Sequence, residues 1–277
     1  MKQVLQNLRS GVTQVADVPM PQAQPGMALV RTSASLVSAG TERMLVDFAG
    51  KSLLGKARTR PDLARQVLDK ARREGLLTTV EAAFNRLDQP LALGYSSSGI
   101  IMDLGSGMHG FRVGQRVACA GGGYAVHAEF ALVPRNLLVA LPDEVDLESA
   151  AFTTLGAIAM HAYRLSEASV GEQVTVIGLG LLGLLSTAIA NAAGCRVLGI
   201  DLDPNRVDLA KKMGAEVAVA RKDAVSAVQA FSRGRGSDVI LICADTDSSD
   251  PVELAGEFAR DKARVVAAGA VSLDIPR

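Results

Sequence analysis

Val174-Thr175-Val176-Ile177-Gly178-Leu179-Gly180-Leu181-Leu182-Gly183 is the stretch whose reading decides the fold. An apolar, β-branched run ends on Gly-x-Gly-x-x-Gly, and Leu181–Ala193 continues with helical spacing. Glycine patterns of this kind recur in many turns, so the flanks carry the argument. With a strand before and a helix behind, Gly178 makes the tight turn and Gly183 lets the helix pack against the strand. Gly180 clears the way for a pyrophosphate to reach the helix N-terminus. Asp201 stands 18 residues beyond Gly183, at the end of the next apolar run. A carboxylate there accepts hydrogen bonds from the adenosine ribose hydroxyls and repels a 2′-phosphate. The pattern therefore predicts a dinucleotide site for NAD rather than NADP.

Outward from this unit the chain alternates. Strands are expected at Val174–Ile177, Val197–Asp201, Val217–Val219, Val239–Cys243 and Arg264–Ala268. Helices are expected at Leu181–Ala193, Asn205–Met213, Asp223–Phe231 and Pro251–Arg260. Strand–helix alternation means βαβ units and a parallel sheet. Upstream the texture is different. From Met1 to about Phe48, and from Gly94 to about Leu141, short β-branched runs such as Ala28–Arg31, Gly99–Met102, Gln115–Ala118 and Glu129–Val133 alternate with Gly and Pro. That predicts a compact β barrel or sandwich. Gly50–Gln89 interrupts it with two helical patterns, one opened by Pro61 and one stopped by Pro90, and reads as a helical insertion.

The 277 residues suffice for two domains, and 48% of them are apolar. Lys+Arg and Asp+Glu are 29 each, which gives no global attraction to nucleic acid or to an anionic membrane. The N-terminus lacks the apolar core of a signal peptide, and the longest apolar run is broken by glycines and hydroxyls. Cys119, Cys195 and Cys243 lie far apart without a CxxC, which suits a reducing cytoplasm. The insertion is basic: Lys51, Lys56, Arg58, Arg60, Arg65, Lys70, Arg72 and Arg73 face only Asp62 and Asp69 over that span. A solvated helix face is the commoner explanation, and an anionic substrate such as a nucleotide-linked sugar is the sharper one.

Met102-Asp103-Leu104-Gly105-Ser106-Gly107, Phe111–Val117, His127-Ala128-Glu129-Phe130 and Val133-Pro134 together resemble the GroES-like catalytic domain of the medium-chain dehydrogenases/reductases. Leu141-Pro142-Asp143 with Glu148–Ala151 resembles their linker, and Asp201–Ala215 their second βα unit. The resemblance implies residues 1–147 as a GroES-like β-barrel domain and residues 148–277 as a Rossmann domain. It implies an oxidoreductase whose active site lies between the two, acting on a small-molecule substrate, with a homodimer as one allowed state. Leu179, Leu182, Arg206, Ala244 and Gly269 join Gly178, Gly180, Gly183 and Asp201 in the cofactor set. Ser38–Arg43, the insertion, and Leu93–Gly99 are similar to a subgroup that includes bacteriochlorophyllide-type dehydrogenases. Two-part bacterial oxidoreductases, with a sugar-oxidoreductase-type domain following this module, belong to the same subgroup.

Alcohol dehydrogenases of this family hold a catalytic zinc with Cys, His and Cys. Matched by motif, those positions fall at Ala39, Tyr95 and about Thr154, none a usual ligand. The four-cysteine structural lobe is missing as well, so no metal is expected. His109, His127 and His161 share no ligand spacing, and solvated or hydrogen-bonded roles are expected for them. Thr41 matches the family's proton-relay hydroxyl. Tyr95 fills a vacated ligand position, where its phenol could donate to a carbonyl oxygen; a packed ring is the alternative. Glu42 could orient Thr41 or remain structural. After Arg264–Ala268 the chain resembles the start of a continuation, so a longer parent protein is expected. Three functions follow from the resemblance: an NAD-dependent, zinc-free alcohol/ketone oxidoreductase, a quinone-oxidoreductase-like enone reductase, and a non-catalytic NAD-binding module.

Overall fold

The computed structural model describes residues 1–50 and 89–273. The expected insertion, with its basic residues, falls almost wholly outside them. The chain packs as two units, Met1–Thr154 and Leu155–Arg277.

The first unit is built on antiparallel strands. β1 (Lys2–Gln6) lies between β2 (Thr13–Asp17) and β4 (Leu91–Ala92). A second sheet has the order β7-β3-β5-β6-β8, from β3 (Met27–Ser35), β5 (Ser96–Leu104), β6 (Arg116–Ala120), β7 (Phe130–Pro134) and β8 (Leu138–Ala140). Its core gathers the alternate residues Ala28, Val30, Ile101, Val117, Cys119, Ala131 and Val133, as period-two strands with one buried face require. The β-barrel or sandwich expectation thus takes the form of a curled antiparallel sheet beside a small three-stranded one. It needs one correction: the segment from Met1 to Phe48 is not β throughout, because Ala39–Gly50 is a helix, α1. Periodicity could not find it, since most of this helix is exposed.

A short helix, α2 (Leu147–Ala150), is capped by the Asp146 carboxylate accepting from Ser149 N–H at 2.7 Å. Two buried serines on one face of β5 hold it. Ser96 Oγ donates to Ala151 O at 2.6 Å, and Ser98 Oγ donates to Leu147 O. The boundary at residue 147 that the resemblance implies precedes the division between the units, because α2 packs on the antiparallel sheet. α3 (Thr153–Leu165) follows.

The second unit is a five-stranded parallel sheet of order β11-β10-β9-β12-β13. The strands are β9 (Gln173–Ile177), β10 (Arg196–Asp201), β11 (Val217–Ala220), β12 (Ser237–Ile242) and β13 (Ala259–Ala267). The helices are α4 (Leu181–Ala192), α5 (Pro204–Lys212), α6 (Ala224–Ser232) and α7 (Asp250–Phe258). The central strand β9 is buried at every position, as expected for a parallel sheet covered on both faces. One core contains Val174, Val176, Val197 and Leu241; the other contains Ile177, Leu198, Ile200, Ile240 and Ile242. The strand order reverses direction between β9 and β12, and ligands of such sheets bind outside the strand C-termini at that switch point. Among the described residues, no helix is long and apolar enough to cross a membrane.

Candidate functional site

At the switch point the three glycines differ in what surrounds them. Gly178 leaves β9 with φ +91, where an added Cβ would lie 2.6 Å from Ala244 N. Only glycine fits that turn. A Cβ on Gly183 would lie 1.9 Å from Gly178 O, so α4 rests directly on the turn. Gly180 has φ −68, and a Cβ there would meet nothing within 4 Å. It is the N-cap of α4 and supplies no side-chain cap, so the first N–H groups of the helix have no side-chain partner there. Space in front of an uncapped helix N-terminus is what a pyrophosphate needs.

The floor of this site is equally tight. A Cβ on Gly269 would lie 2.0 Å from Ala244 O, and Gly269 N–H donates to Ile242 O at 2.9 Å. The turns after β9, β12 and β13 therefore meet at Gly178, Ala244 and Gly269. Leu179 is fully buried, so its side chain packs inward, and only backbone is left to face a ligand. Leu182 is half-buried on the first turn of α4.

Asp201 ends β10 at 8% exposure. Its Oδ2 accepts from Leu179 N–H at 2.6 Å and its Oδ1 from Asp203 N–H at 2.9 Å. The carboxylate thus ties the end of β10 to the glycine turn. Each oxygen keeps a second lone pair for a further donor. Arg206, on α5, places its guanidinium 3.7 Å from Asp201 and 3.7 Å from Asp203, and is about half exposed.

The candidate proton-handling residues lie in the first unit. Thr41 is exposed on the first turn of α1, and Tyr95 is half-buried just before β5. Tyr95 O accepts from Gly121 N–H at 2.9 Å. Among the described residues neither hydroxyl has a hydrogen-bond partner, so the Tyr95 phenol is not tied to backbone. Of the positions matched to zinc ligands, Ala39 offers no donor atom. Thr154 Oγ1 donates to Cys119 O at 3.3 Å. This set does not fit a metal. Among the described residues no three His, Cys, Asp or Glu side chains are grouped to hold one.

Sequence reasoning missed one constellation. His127 Nε2 lies 3.0 Å from Glu42 Oε2, and His127 Nδ1 lies 2.9 Å from Ser35 Oγ. Both Glu42 and His127 side chains are about nine-tenths buried. Glu42 Oε1 also accepts from Ser38 N–H at 2.9 Å, closing the start of α1. His127 stands in the loop before β7. It borders an open pocket of about 330 Å³ that Ser35 and Thr32 also line. Glu42 and His127 are 85 residues apart in sequence, so no local pattern announces the pair. His109 and His161 are exposed.

Comparison with known proteins follows this division. A family described as "Alcohol dehydrogenase GroES-like domain" matches residues 70–143, and one described as "Zinc-binding dehydrogenase" matches residues 182–276. The chain is 29% identical over 198 residues to "Probable D-xylulose reductase A" of Arthroderma otae, covering 59% of this chain and 55% of that protein. It is 30% identical over 178 residues to "(R,R)-butanediol dehydrogenase" of Bacillus subtilis, covering 54% of this chain and 51% of that one. It thus spans about half the length of the curated relatives it matches. In fold it is similar to galactitol-1-phosphate dehydrogenase from Escherichia coli, with a TM-score of 0.76 and 23% identity over 100% of this chain and 78% of that one. An antiparallel GroES-like unit followed by a 3-2-1-4-5 Rossmann sheet, matched in turn by these two families, makes the chain a member of the medium-chain dehydrogenase/reductase superfamily.

Proposed function

We propose that the chain is the cofactor-binding and proton-handling part of an NAD(H)-dependent oxidoreductase that interconverts an alcohol and a ketone without zinc. The observation that carries this reading is the pairing of an open Gly180 with a fixed Asp201 at the sheet's switch point. When bound, the nicotinamide supplies hydride transfer. The protein's part is to hold the dinucleotide and manage the proton. The α4 N-terminus holds the pyrophosphate, and Asp201 receives the adenosine ribose hydroxyls. Arg206, Leu182, Ala244 and Gly269 border the same site.

Among the described residues the Thr41 and Tyr95 hydroxyls have no competing partner, which leaves both able to donate to or accept from a substrate oxygen. Tyr95 takes the donor role toward the carbonyl, where a family relative would place a metal. The names of the similar proteins, a xylulose reductase and a butanediol dehydrogenase, support a hydroxylated small substrate.

The test has two parts. Nicotinamide fluorescence titration should show NADH binding at least about tenfold tighter than NADPH, and equal affinity would overturn the assignment of Asp201. Turnover of D-xylulose with NADH and of butane-2,3-diol with NAD should survive chelators. Tyr95→Phe should lower that turnover by about 10²–10⁴-fold with NADH affinity unchanged. A Tyr95→Phe protein of full activity would remove Tyr95 from the chemistry.

A further inference from the structure

The two residues given proton-handling roles belong to separate elements, and one side chain touches both elements. His127 N–H donates to Leu93 O at 2.8 Å, and His127 O accepts from Val4 N–H at 2.9 Å. Its ring packs closely against Gly94: a Cβ there would be 3.0 Å from both Cδ2 and Cε1. Gly94 has φ +96, a conformation other residues rarely adopt, and the next residue is Tyr95. On its other side the ring reaches Glu42, which follows Thr41 and whose second oxygen closes the start of α1.

An ionised carboxylate only accepts, so Nε2 carries the proton toward Glu42. The Ser35 hydroxyl can rotate to donate to a neutral Nδ1 or to accept from a protonated one. The joint is buried, and both ring nitrogens have partners.

We propose that His127 is a positioning residue that fixes the Thr41 helix and the Tyr95 turn relative to each other. This rests on the roles given above to Thr41 and Tyr95. The alternative is that the Glu42–His127 pair serves only local packing of the loop before β7.

Hydrogen–deuterium exchange of the full chain, read on peptides covering 39–50 and 91–97, separates the two. His127→Phe keeps a ring over Gly94 and removes both side-chain bonds. Its exchange should rise about tenfold or more in both peptides together. His127→Gln, whose amide can still donate to Glu42, should restore slow exchange in 39–50. Should the Phe variant fail to fold, Glu42→Leu, which removes the acceptor of His127, carries the comparison, with faster exchange expected in 91–97 as well as in 39–50. Unchanged exchange in 39–50, or a rise confined to 91–97, would overturn the proposal. With D-xylulose and NADH, kcat of His127→Phe should fall about 10–100-fold while the KM for NADH stays within twofold, and His127→Gln should recover part of the loss. Absence of any D-xylulose turnover in wild type would count against the function, and the exchange result would still decide the role of His127.

Discussion

Gly180→Ala should abolish most dinucleotide binding while leaving the fold intact, and the structure supplies both halves of that expectation. The backbone at Gly180, φ −68 and ψ −170, is open to alanine, and the new methyl would meet no atom within 4 Å. Loss of a favoured N-cap residue, about 0.5–1 kcal/mol, is offset by a similar gain from a stiffer unfolded chain. The melting temperature should therefore hold within a few degrees. Under the proposed function, the same methyl would stand where the pyrophosphate approaches the α4 N–H groups. Displacing one or two charge-assisted hydrogen bonds costs about 1.5–3 kcal/mol each, which is roughly 10–100-fold or more in affinity. Gly183→Ala makes the opposite control. Its Cβ would have to retreat from 1.9 Å to at least 3.0 Å from Gly178 O, pushing α4 off the turn. Overpacking of this kind costs about 1–3 kcal/mol, or roughly 2–12 °C in melting temperature. The assay pairs NADH fluorescence titration with thermal melts on both variants. A Gly180→Ala protein that melts normally and binds NADH within twofold of wild type would refute the placement of the pyrophosphate.

Purified protein should carry no stoichiometric zinc, since Ala39, Tyr95 and Thr154 offer no ligand set; elemental analysis giving about one zinc per chain would overturn that. Burial raises the Cys119 thiol to about 12 and the Cys243 thiol to about 11, each partly countered by a serine hydroxyl. At pH 8 both should react with a disulfide reagent at least about 10²-fold slower than a free thiol, and at ordinary rates after denaturation. Burial alone would raise the Asp238 carboxyl, but Gln173 N–H and the Arg260 guanidinium outweigh it and hold it below the ordinary value. A depressed carboxyl stabilises the fold above its unfolded value and loses that contribution as pH falls. Asp238→Asn should therefore lower the melting temperature at pH 7, and the difference from wild type should shrink below about pH 4.

The Rossmann unit was legible because its signal is contiguous: strand, turn and helix lie within residues 173–192. Its strands were found wherever they were apolar. β13 was read as starting at Arg264, although it begins at Ala259. The charged run Arg260-Asp261-Lys262 hides its start; those residues lie in the irregularity between the pairs Ser237–Ala259 and Val239–Arg264, where Lys262 takes φ +62 and Arg260 bonds Asp238. β1 and β2 leave no clear alternation in the sequence because they form a small ribbon in which Gln6 alone is fully buried. The glycines of the candidate site could be read from order alone. Glu42 and His127 could not, since what joins them is a fold that brings residues 85 apart into contact.

The choice between cofactors illustrates how a site read from sequence acquires a mechanism from structure. An acid at the end of the second strand is a charge argument, and a mobile carboxylate could swing aside from a 2′-phosphate. Asp201 has no such freedom. Turning it away would break its bonds to Leu179 N–H and Asp203 N–H at once. The group that can move is Arg206, half exposed and 3.7 Å from two carboxylates. A 2′-phosphate could recruit it only by leaving Asp201 facing another anion at 8% exposure, where like charges are poorly screened. Under the proposed NAD reading, discrimination against the phosphate would come from the rigidity of Asp201, which a swing of Arg206 alone would not reverse.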